Sequence, residues 1–586
     1  MKQLSTAFSQ KPDEQCPLPE YPRPSLVRDS YINLNGRWNY AITKEEAIPQ
    51  HFDGEILVPF SPESALSGVQ RRVEPEDFLW YKKNLNLSRP QSGQRLLLHF
   101  GAVDQQAQVY INRIQAGFHL GGYLPFTLDI TDFIFDGDNE LLVKVKDVTD
   151  GSWHSRGKQS LHPGGMFYTA QSGIWQTVWA EIVPANYIKN ILFTPDFDNS
   201  CMHVKVLTAL PASLTCTVIG DDDETFTIFA KTDEEFTISL PCFHAWSPED
   251  PFLYRVKIET ADDCVSSYFA MRKCDVQTGP DGLRRFFLNN EPYFHAGVLD
   301  QGYWPESLYT APSDGALIFD IEKMKELGFN MLRKHAKVEP ERFYYHCDRL
   351  GMLVWQDMVN GGSPYKHWFV TYIATLMSWK HLSFGDGEKH RKLLSRTDLD
   401  GQAEFYREME ETVQFLYNHP SIVVWVPFNE GWGQFDAAKA AEKLKALDPT
   451  RLVDHASGWY DQKAGDIASL HYYFFTLNFK PEKERALALT EFGGYSHSVP
   501  GHSACDKVYG YKKFDSTVAL TAGYARLLED TIVPAVKKGI SATIYTQVSD
   551  IEEETNGIYT YDRAVCKLDP NVVKKCNRIM KDAVKK

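Results

Sequence analysis

Disulfide patterns, secretory signals and membrane spans are all missing from this 586-residue sequence. Its ten cysteines are scattered, and none forms a Cys-x-x-Cys pair. The N-terminal residues contain no apolar core of the length that a secretory signal needs. No window approaches the roughly 18 to 20 apolar residues of a membrane span. We therefore expect a cytoplasmic protein with reduced thiols and no membrane partner, the alternative being a native precursor from which a signal has been removed.

Blocks of basic residues are missing as well. The chain has 62 Lys and Arg residues against 77 Asp and Glu residues, which gives a formal net charge of -15. We therefore expect no nucleic-acid partner, because such proteins need a basic surface to displace counterions.

Several motifs of cofactor-dependent chemistry do not occur. There is no His-Glu-x-x-His, no Gly-x-Gly-x-x-Gly and no phosphate-binding Walker loop. A Gly-x-Ser-x-Gly elbow, which would favour an esterase, is also missing. We expect neither a metal nor another cofactor.

The pattern that is present predicts a multidomain protein, since 586 residues are too many for one core. Short strands with Gly, Pro and Asp-Gly turns fill residues 1–185 and predict a jelly-roll β-sandwich, the expected sugar-binding domain. About seven further strands in 186–275 predict a small immunoglobulin-like β-sandwich.

The pattern changes in residues 276–586, where eight short apolar runs alternate with helical segments. This alternation predicts a (β/α)8 TIM barrel. The aromatic stretch 366–395 is too long for an ordinary connection, and we expect it to be an elaborated loop near the barrel mouth.

Two glutamates end predicted barrel strands, where the active residues of such barrels lie. Glu430 ends strand four in FNEG, and Glu491 ends strand seven in TEFGG. Glycoside hydrolysis requires two carboxylates across a cleft, one to protonate the departing oxygen and one to attack the anomeric carbon. Either glutamate alone could equally be a solvated or salt-bridged charge.

Other residues near the strand ends are candidate sugar contacts. Trp432 and Trp459 could stack on a sugar face or belong to the core. Arg333 could bridge barrel carboxylates or keep a nucleophilic glutamate ionised. The remaining candidates at the ends of strands are His335, Asp357, Asn429, Tyr472 and Gln547.

Taken together, these stretches resemble glycoside hydrolase family two, the group of β-galactosidases, β-glucuronidases and β-mannosidases. SGIWQTVWAEIVP (172–184) is similar to the closing strand of the family's jelly roll, and WSPEDPFLY (246–254) to a stretch of its immunoglobulin-like domain. GFNMLRKH, which contains Arg333 and His335, CDRLGMLVWQD, HPSIVVWVPFNEG and TEFGG are similar to successive barrel strands. The resemblance covers residues from about 30 to 565.

The resemblance implies roles for individual residues. Glu430 corresponds to the acid/base and Glu491 to the nucleophile. Asn429 corresponds to the neighbour that hydrogen-bonds the sugar 2-hydroxyl, and Tyr472 to the tyrosine that orients the nucleophile. Because the family retains anomeric configuration, we expect the two carboxyls to lie about 5 to 5.5 Å apart.

One segment departs from the β-glucuronidase pattern. Those enzymes carry Asn-x-Lys after strand eight, whose cation reads the substrate carboxylate, and the matching stretch here is Glu554-Thr-Asn556. Both residues are candidate substrate contacts. The surrounding SDIEEETNG (549–557), here called the acidic rim, should repel a uronate, although Lys366 or Lys334 could supply a cation instead.

The resemblance therefore implies a retaining, exo-acting β-glycosidase that is β-galactosidase-like and acts on a neutral hexoside. The alternatives are a β-glucuronide or galacturonide, and then a β-mannoside, β-glucoside or α-L-arabinoside. Thr546 replaces the tryptophan that often floors the family's sugar site, which leaves room for an unusual glycone. A non-catalytic carbohydrate-binding protein is the alternative of another class. The resemblance also implies a homo-oligomer, either a dimer or a tetramer, that takes small-molecule or oligosaccharide glycosides.

Overall fold

The computed structural model describes residues 2–9, 13–221, 224–366, 368–379, 384–473 and 477–584. Within these residues the chain forms two all-β units followed by an α/β barrel. No helix in this part of the chain is both long and apolar enough to cross a membrane.

The first unit is a β-sandwich. Its strands are β1 (Tyr31–Asn33), β2 (Gly36–Thr43), β3 (Gly54–Val58), β4 (Phe78–Leu87), β5 (Gln94–Phe100), β6 (Val103–Asp104), β7 (Gln106–Ile111), β8 (Ile114–Leu120), β9 (Phe126–Asp129), β10 (Gly137–Lys146), β11 (Gln159–Ser160), β12 (Tyr168–Thr169), β13 (Gly173–Ile174) and β14 (Val178–Pro184). A six-stranded sheet, β3-β2-β4-β10-β7-β8, and a four-stranded sheet, β1-β14-β5-β9, enclose one apolar core. The predicted jelly-roll sandwich is confirmed.

The second unit is a smaller sandwich. Its strands are β15 (Asn190–Asp196), β16 (Cys201–Leu207), β17 (Ser213–Ile219), β18 (Thr225–Lys231), β19 (Glu235–Ser239), β20 (Tyr254–Glu259) and β21 (Cys264–Phe269). They form a three-stranded sheet, β15-β16-β19, and a four-stranded sheet, β18-β17-β20-β21. Buried and half-buried residues alternate along β16, as a strand with one face on a core requires. This arrangement confirms the predicted immunoglobulin-like fold.

A three-stranded antiparallel sheet leads into the barrel. It consists of β22 (Cys274–Thr278), β23 (Arg284–Leu288) and β24 (Glu291–Pro292). The predicted boundary between residues 275 and 276 falls inside β22, and all the domain boundaries remain predictions. Phe286 and Leu288 of β23 pack with barrel residues such as Met331 and Trp355, so this sheet closes one end of the barrel.

The third unit is the predicted TIM barrel, which is confirmed. Its eight parallel strands are β25 (His295–Asp300), β26 (Met331–Lys334), β27 (Leu353–Asp357), β28 (Ile422–Val426), β29 (Leu452–Val453), β30 (Ile467–Tyr472), β31 (Ala486–Gly493) and β34 (Ile540–Thr546). They follow the order β29-β28-β27-β26-β25-β34-β31-β30. The apolar, largely β-branched strand β28 is buried throughout, as expected for a parallel strand covered on both faces. Two short strands, β32 (Tyr495–Ser496) and β33 (Lys512–Lys513), pair outside the barrel.

Helices follow most barrel strands. They are α1 (Asp314–Glu326), α2 (Glu341–Leu350), α3 (Ala374–Trp379), α4 (Leu399–Leu416), α5 (Ala437–Leu447), α6 (Thr517–Leu527), α7 (Val533–Lys537) and α8 (Pro570–Val584), with π-helical turns at Trp368–Ile373 and Leu528–Ile532. Short 3-10 turns lie at Ala7–Ser9, Thr131–Phe133, Thr149–Gly151 and Glu388–His390. Helix α1 begins after Ser313, because the Ser313 hydroxyl caps it by accepting a hydrogen bond from the Ala316 backbone N–H.

The predicted loop at 366–395 is partly helical, and residues 367 and 380–383 lie outside the described part. Phe369, Val370 and Leu394 from this segment pack with Trp432 and other residues beside the barrel mouth. The segment therefore covers one side of the opening.

Candidate active site

The structure brings Glu430 and Glu491 together at the carboxyl ends of the barrel strands. One carboxylate oxygen of each glutamate and one ring nitrogen of His471 all lie within 4.8 Å of one another. Both glutamates are largely buried, with side chains 13% and 7% exposed. Two carboxyl groups at this spacing can act on the same bond of a substrate, one as a nucleophile and the other as an acid.

Local backbone geometry aims Glu430 into the cleft. The residue follows β28 and has a left-handed backbone, with φ of 51°. Its N–H donates to the carbonyl of Ser457 at 2.9 Å, which ties the turn to the loop after β29. Non-glycine residues with positive φ cluster at functional sites because the surrounding structure must hold them there. The Glu430 carboxylate lies 2.9 Å from His471 Nδ1.

Glu491 is held from two sides. The Tyr473 hydroxyl donates to Glu491 Oε2 at 2.5 Å, and Arg333 Nη1 donates to Oε1 at 3.3 Å. Burial acts to raise the pKa of the Glu491 carboxyl, but His471, Arg333, the Tyr473 hydrogen bond and Lys158 together outweigh burial. The pKa of Glu491 is therefore below its usual range, and the carboxylate form is favoured.

Arg333 organises the floor of the site. It is fully buried and forms two hydrogen bonds of 3.0 Å to the Asp357 carboxylate. A further N–H donates to Asn429 Oδ1 at 2.9 Å. Burial raises the pKa of Asp357 to about 6, although Arg333 acts to lower it. The guanidinium thus fixes the positions of Asp357, Asn429 and Glu491 in one network.

Three predicted contacts carry buried polar atoms without a hydrogen-bond partner among the described residues. These atoms are His335 Nε2, Asn429 Nδ2 and Gln547 Oε1. The other ring nitrogen of His335 lies 2.9 Å from Gln301 Oε1, and burial holds the pKa of this imidazole well below its usual value. Because buried polar groups are almost always paired, these three atoms are available to a ligand.

Both predicted tryptophans lie beside this cluster. The Trp432 ring is 6.1 Å from the His335 ring, and the Trp459 ring is 5.3 Å from the His471 ring, measured between centroids. Both side chains also belong to an apolar cluster with Phe369. They therefore form the wall between the cleft and the 366–395 segment.

Residues after β34 form a second polar chain. Gln547 Nε2 donates to Asn556 Oδ1 at 3.0 Å, and Asn556 Nδ2 donates to Glu554 Oε1 at 2.9 Å. Glu554 then accepts a hydrogen bond from the hydroxyl of Tyr168, a jelly-roll residue. Thr546, the residue before Gln547, lies next to the carboxylate cluster, because its hydroxyl is 2.9 Å from that of Tyr473.

The tyrosine that contacts Glu491 is Tyr473, which corrects the assignment of this contact to Tyr472. Alternate residues of a strand point to opposite sides, so His471 and Tyr473 face the cleft together. Tyr472 instead packs against the apolar barrel core. The sequence contains both tyrosines side by side, and only the direction of the strand decides between them.

Two residues at the site, His471 and Lys158, were not predicted from the sequence. His471 precedes the tyrosine pair near the end of a barrel strand. Its position there is the signal that could have identified it, because polar residues at the ends of barrel strands are candidate site residues. Lys158 comes from the loop before β11 of the jelly roll, and its Nζ lies 5.6 Å from the centroid of the Trp432 ring. No motif marks this lysine, because its contacts depend on how two domains pack.

Family models match three successive parts of the chain. They are the sugar-binding domain of glycosyl hydrolases family 2 at residues 69–179, the family 2 domain at 186–272 and the family 2 TIM barrel domain at 285–491. Together they cover more than half of the sequence.

Individual relatives are more distant. A β-galactosidase of Thermoanaerobacter pseudethanolicus is 23% identical over 518 residues, which are 83% of this chain and 64% of that protein. A β-glucuronidase of Streptococcus agalactiae is 23% identical over 463 residues, covering 74% of this chain and 72% of that protein. The chain thus spans less than two thirds of the length of the first relative.

Solved structures share the fold. The β-D-glucuronidase of Dictyoglomus thermophilum superimposes with a TM-score of 0.73 at 17% identity, covering 95% of this chain and 98% of that one. With all three characteristic domains present in the same order, the chain belongs to glycoside hydrolase family 2.

Proposed function

We propose that the protein is a retaining, exo-acting β-glycosidase. The observation that carries this proposal is the pair of carboxylates, Glu430 and Glu491, with oxygens within 4.8 Å of each other. Retaining glycosidases place their two carboxyl groups about 5 to 5.5 Å apart, whereas inverting enzymes leave about 6.5 to 9.5 Å for a water molecule. The names of the relatives, β-galactosidase and β-glucuronidase, support the same reaction class.

In the first step Glu491 attacks the anomeric carbon. The bond between that carbon and the glycosidic oxygen breaks, and Glu430 gives its proton to the departing oxygen. A glycosyl ester on Glu491 results. In the second step Glu430 takes a proton from water, the water oxygen attacks the anomeric carbon, and the ester bond to Glu491 breaks.

The surroundings of Glu491 suit a nucleophile. Its carboxylate form is favoured by Arg333 and by the hydrogen bond from Tyr473. Asn429 is held by Arg333 through its oxygen and keeps its Nδ2 without a partner, so the amide can donate to the sugar 2-hydroxyl beside the anomeric carbon.

The exo mode is supported by the jelly-roll domain. Tyr168 of β12 reaches the loop after β34 and contacts Glu554, while Lys158 lies beside Trp432. These contacts bring the sandwich against the barrel mouth, and a site closed on that side would favour the terminal sugar of a chain.

Hydrolysis of a panel of nitrophenyl β-glycosides tests this function. We expect Glu491→Gln to lower kcat by at least about 10³-fold, because no covalent intermediate forms without the carboxylate. Glu430→Ala should lose activity and regain part of it with azide, which needs no general base. The exposed Glu326→Ala is the matched control and should keep wild-type activity.

The stereochemical course gives a second, independent test. Proton NMR of the first sugar released should show the β-anomer, as retention requires. Release of the α-anomer, or full activity of Glu491→Gln, would overturn the double-displacement proposal.

The expectation of a neutral hexoside depended on the missing Asn-x-Lys lysine and on the acidic rim, and the contacts of the rim weaken the second ground. Each carboxylate of the rim has a partner within the protein. Asp550 pairs with Lys567, Glu552 accepts from Thr169 N–H, Glu553 pairs with Lys507, and Glu554 accepts from Tyr168. Lysines thus neutralise two of the four carboxylates, and the other two are engaged by neutral donors inside the protein, so the rim is a weaker barrier to an anion than its sequence suggests.

A further inference from the structure

Lys158 is a buried cation at the boundary between the jelly roll and the barrel. Its side chain precedes β11, and the residue is only 6% exposed. The Nζ atom lies 5.4 Å from the centroid of the Tyr168 ring and 5.6 Å from that of the Trp432 ring. The ammonium is thus held between one aromatic residue of each domain.

Lys158 differs from the other buried lysines. Five lysines are buried in the part of the chain that the structure describes. Four of them pair with a carboxylate: Lys144 with Glu46, Lys334 with Asp300, Lys337 with Glu339 and Lys567 with Asp550. Among the described residues Lys158 Nζ has aromatic neighbours but neither a hydrogen-bond acceptor nor a carboxylate partner. A buried charge without a counterion is costly, so an anionic ligand would compensate it.

This ammonium lies near the reaction centre, because the Trp432 ring beside it is 6.1 Å from the ring of His335. Its field is one of the influences that lower the pKa of Glu491, and it is the largest of the charge effects that lower the pKa of His335. Lys158 nevertheless forms no ion pair with Glu491, so the two charges influence each other across the pocket. A sugar bound at Glu491 would therefore lie within the field of Lys158.

We propose that Lys158 binds the carboxylate of an anionic glycone and so makes the enzyme selective for β-uronosides. This inference rests on the proposed glycosidase function and names the substrate class of the same pocket. The unpartnered atoms of His335, Asn429 and Gln547 suit the neutral hydroxyls of the sugar. The single unpaired ammonium instead matches a single carboxylate, through a charge-assisted hydrogen bond.

A neutral hexoside would leave the charge of Lys158 uncompensated. Its hydroxymethyl group could accept a hydrogen bond, but it would not neutralise an ammonium on a residue that is only 6% exposed. Discrimination between uronosides and neutral hexosides should therefore depend on the charge of the substrate group next to Lys158. A substrate that leaves a buried polar group of the enzyme unpaired is rejected for the same reason.

Matched substrate pairs test the proposal. We compare kcat/KM for nitrophenyl β-D-glucuronide with the β-D-glucoside, and for the β-D-galacturonide with the β-D-galactoside. The wild-type enzyme should prefer at least one uronide over its neutral counterpart. Lys158→Met should lower kcat/KM for that uronide by about 100-fold, as the loss of a buried charge partner predicts, and change the neutral values by less than about threefold.

Two further variants complete the experiment. Lys158→Arg retains the charge and should retain most of the uronide preference. Lys146→Met removes another jelly-roll lysine that lies over an aromatic ring, 4.3 Å from the centroid of Phe78, and should leave all four values unchanged. Preference of the wild type for the neutral sugars, or an equal loss on both substrate types in Lys158→Met, would overturn the proposal.

Failure of the glycosidase function is distinguishable from failure of this inference. If no glycoside is hydrolysed, calorimetry with free glucuronate and galacturonate, against glucose and galactose, still examines Lys158. Uronate binding that is lost in Lys158→Met supports the anion site. Absence of uronate binding to the wild type, or equal binding to both proteins, refutes it.

Discussion

His471 Nδ1 lies 2.9 Å from Glu430 Oε1, while the other nitrogen of the same ring lies 3.7 Å from Glu491 Oε1. The imidazole is fully buried, and Ser457 Oγ lies 3.2 Å from its Nε2. One side chain thus contacts the proposed acid/base and reaches towards the proposed nucleophile. We infer that His471 is a positioning residue that sets the orientation of Glu430.

Replacement of His471 should impair proton transfer more than binding. We expect His471→Asn to lower kcat by on the order of 10²-fold, because Glu430 loses the group that orients it. The loss should be larger for alkyl glycosides than for nitrophenyl glycosides, whose leaving groups need little protonation. Steady-state kinetics on both substrate types measures the two losses of kcat, and an unchanged KM would show that binding is intact. An equal loss on both types would show that His471 serves the fold alone.

The two adjacent tyrosines offer a matched pair of variants. Tyr473→Phe removes the hydrogen bond to Glu491 Oε2, and a bond to a charged group corresponds to about 1.5 to 3 kcal/mol, or a 10- to 100-fold loss of kcat/KM. Tyr472→Phe should change kcat/KM by less than about threefold, since its ring packs on the core. The reverse ranking would restore the assignment made from the sequence.

The pH profile of Tyr473→Phe has a predictable sign. The Tyr473 hydrogen bond is one of the influences that hold the pKa of Glu491 below its usual range. Without it the pKa rises, so the nucleophile becomes protonated at a higher pH and activity is lost earlier as the pH falls. The acidic limb of kcat/KM against pH should therefore move upwards relative to that of the wild type.

Gly458 leaves space for the His471 ring. It has φ of +84°, and a Cβ at this position would lie 2.6 Å from His471 Cγ. Gly458→Ala should therefore displace the imidazole and lower kcat at least about tenfold, in addition to about 1 kcal/mol of backbone strain. Gly501→Ala, at φ of +86° with open space around it, isolates the strain and should keep full activity. Equal kinetics of the two variants would contradict the contact with His471.

We expect the burial of His295, at the start of β25, to make the stability of the protein depend on pH. The ring is buried, accepts a hydrogen bond from Trp355 Nε1 at 3.1 Å, and has a pKa lowered by burial to about 3. Below about pH 6.5 the unfolded chain takes up a proton that the folded barrel does not. The free energy of unfolding should therefore fall as the pH drops from 6.5 towards 3, by at most about 1.4 kcal/mol per pH unit for this group.

Urea unfolding between pH 7 and pH 4 measures that slope. His295→Gln keeps an acceptor for Trp355 but cannot take up a proton, so its stability should fall less steeply than that of the wild type. The exposed His162→Gln should keep the wild-type slope. His99 and His119, whose pKa values burial lowers to about 4, contribute in the same direction, whereas Glu63 and Glu408, whose pKa values burial raises to about 8, act in the opposite one.

The barrel and its two glutamates were predictable because both follow from local pattern. An apolar, β-branched run such as Ile422–Val426 needs burial on both faces, and the polar residues that follow it must lie where the barrel opens. The same logic located Arg333, Asp357 and Glu491 at the ends of their strands. These residues could be assigned to one site before any contact was known.

The sequence by itself therefore determined the fold class, the family and the carboxylate pair, because hydrophobic periodicity and strand ends are properties of neighbouring residues. Only the tertiary structure decided that Tyr473 rather than Tyr472 contacts Glu491, since that depends on which way a strand presents alternate side chains. It also decided that two carboxylates of the acidic rim pair with lysines, while Lys158 pairs with no carboxylate among the described residues. Charge compensation depends on contacts between distant segments and two domains, and no local pattern encodes them.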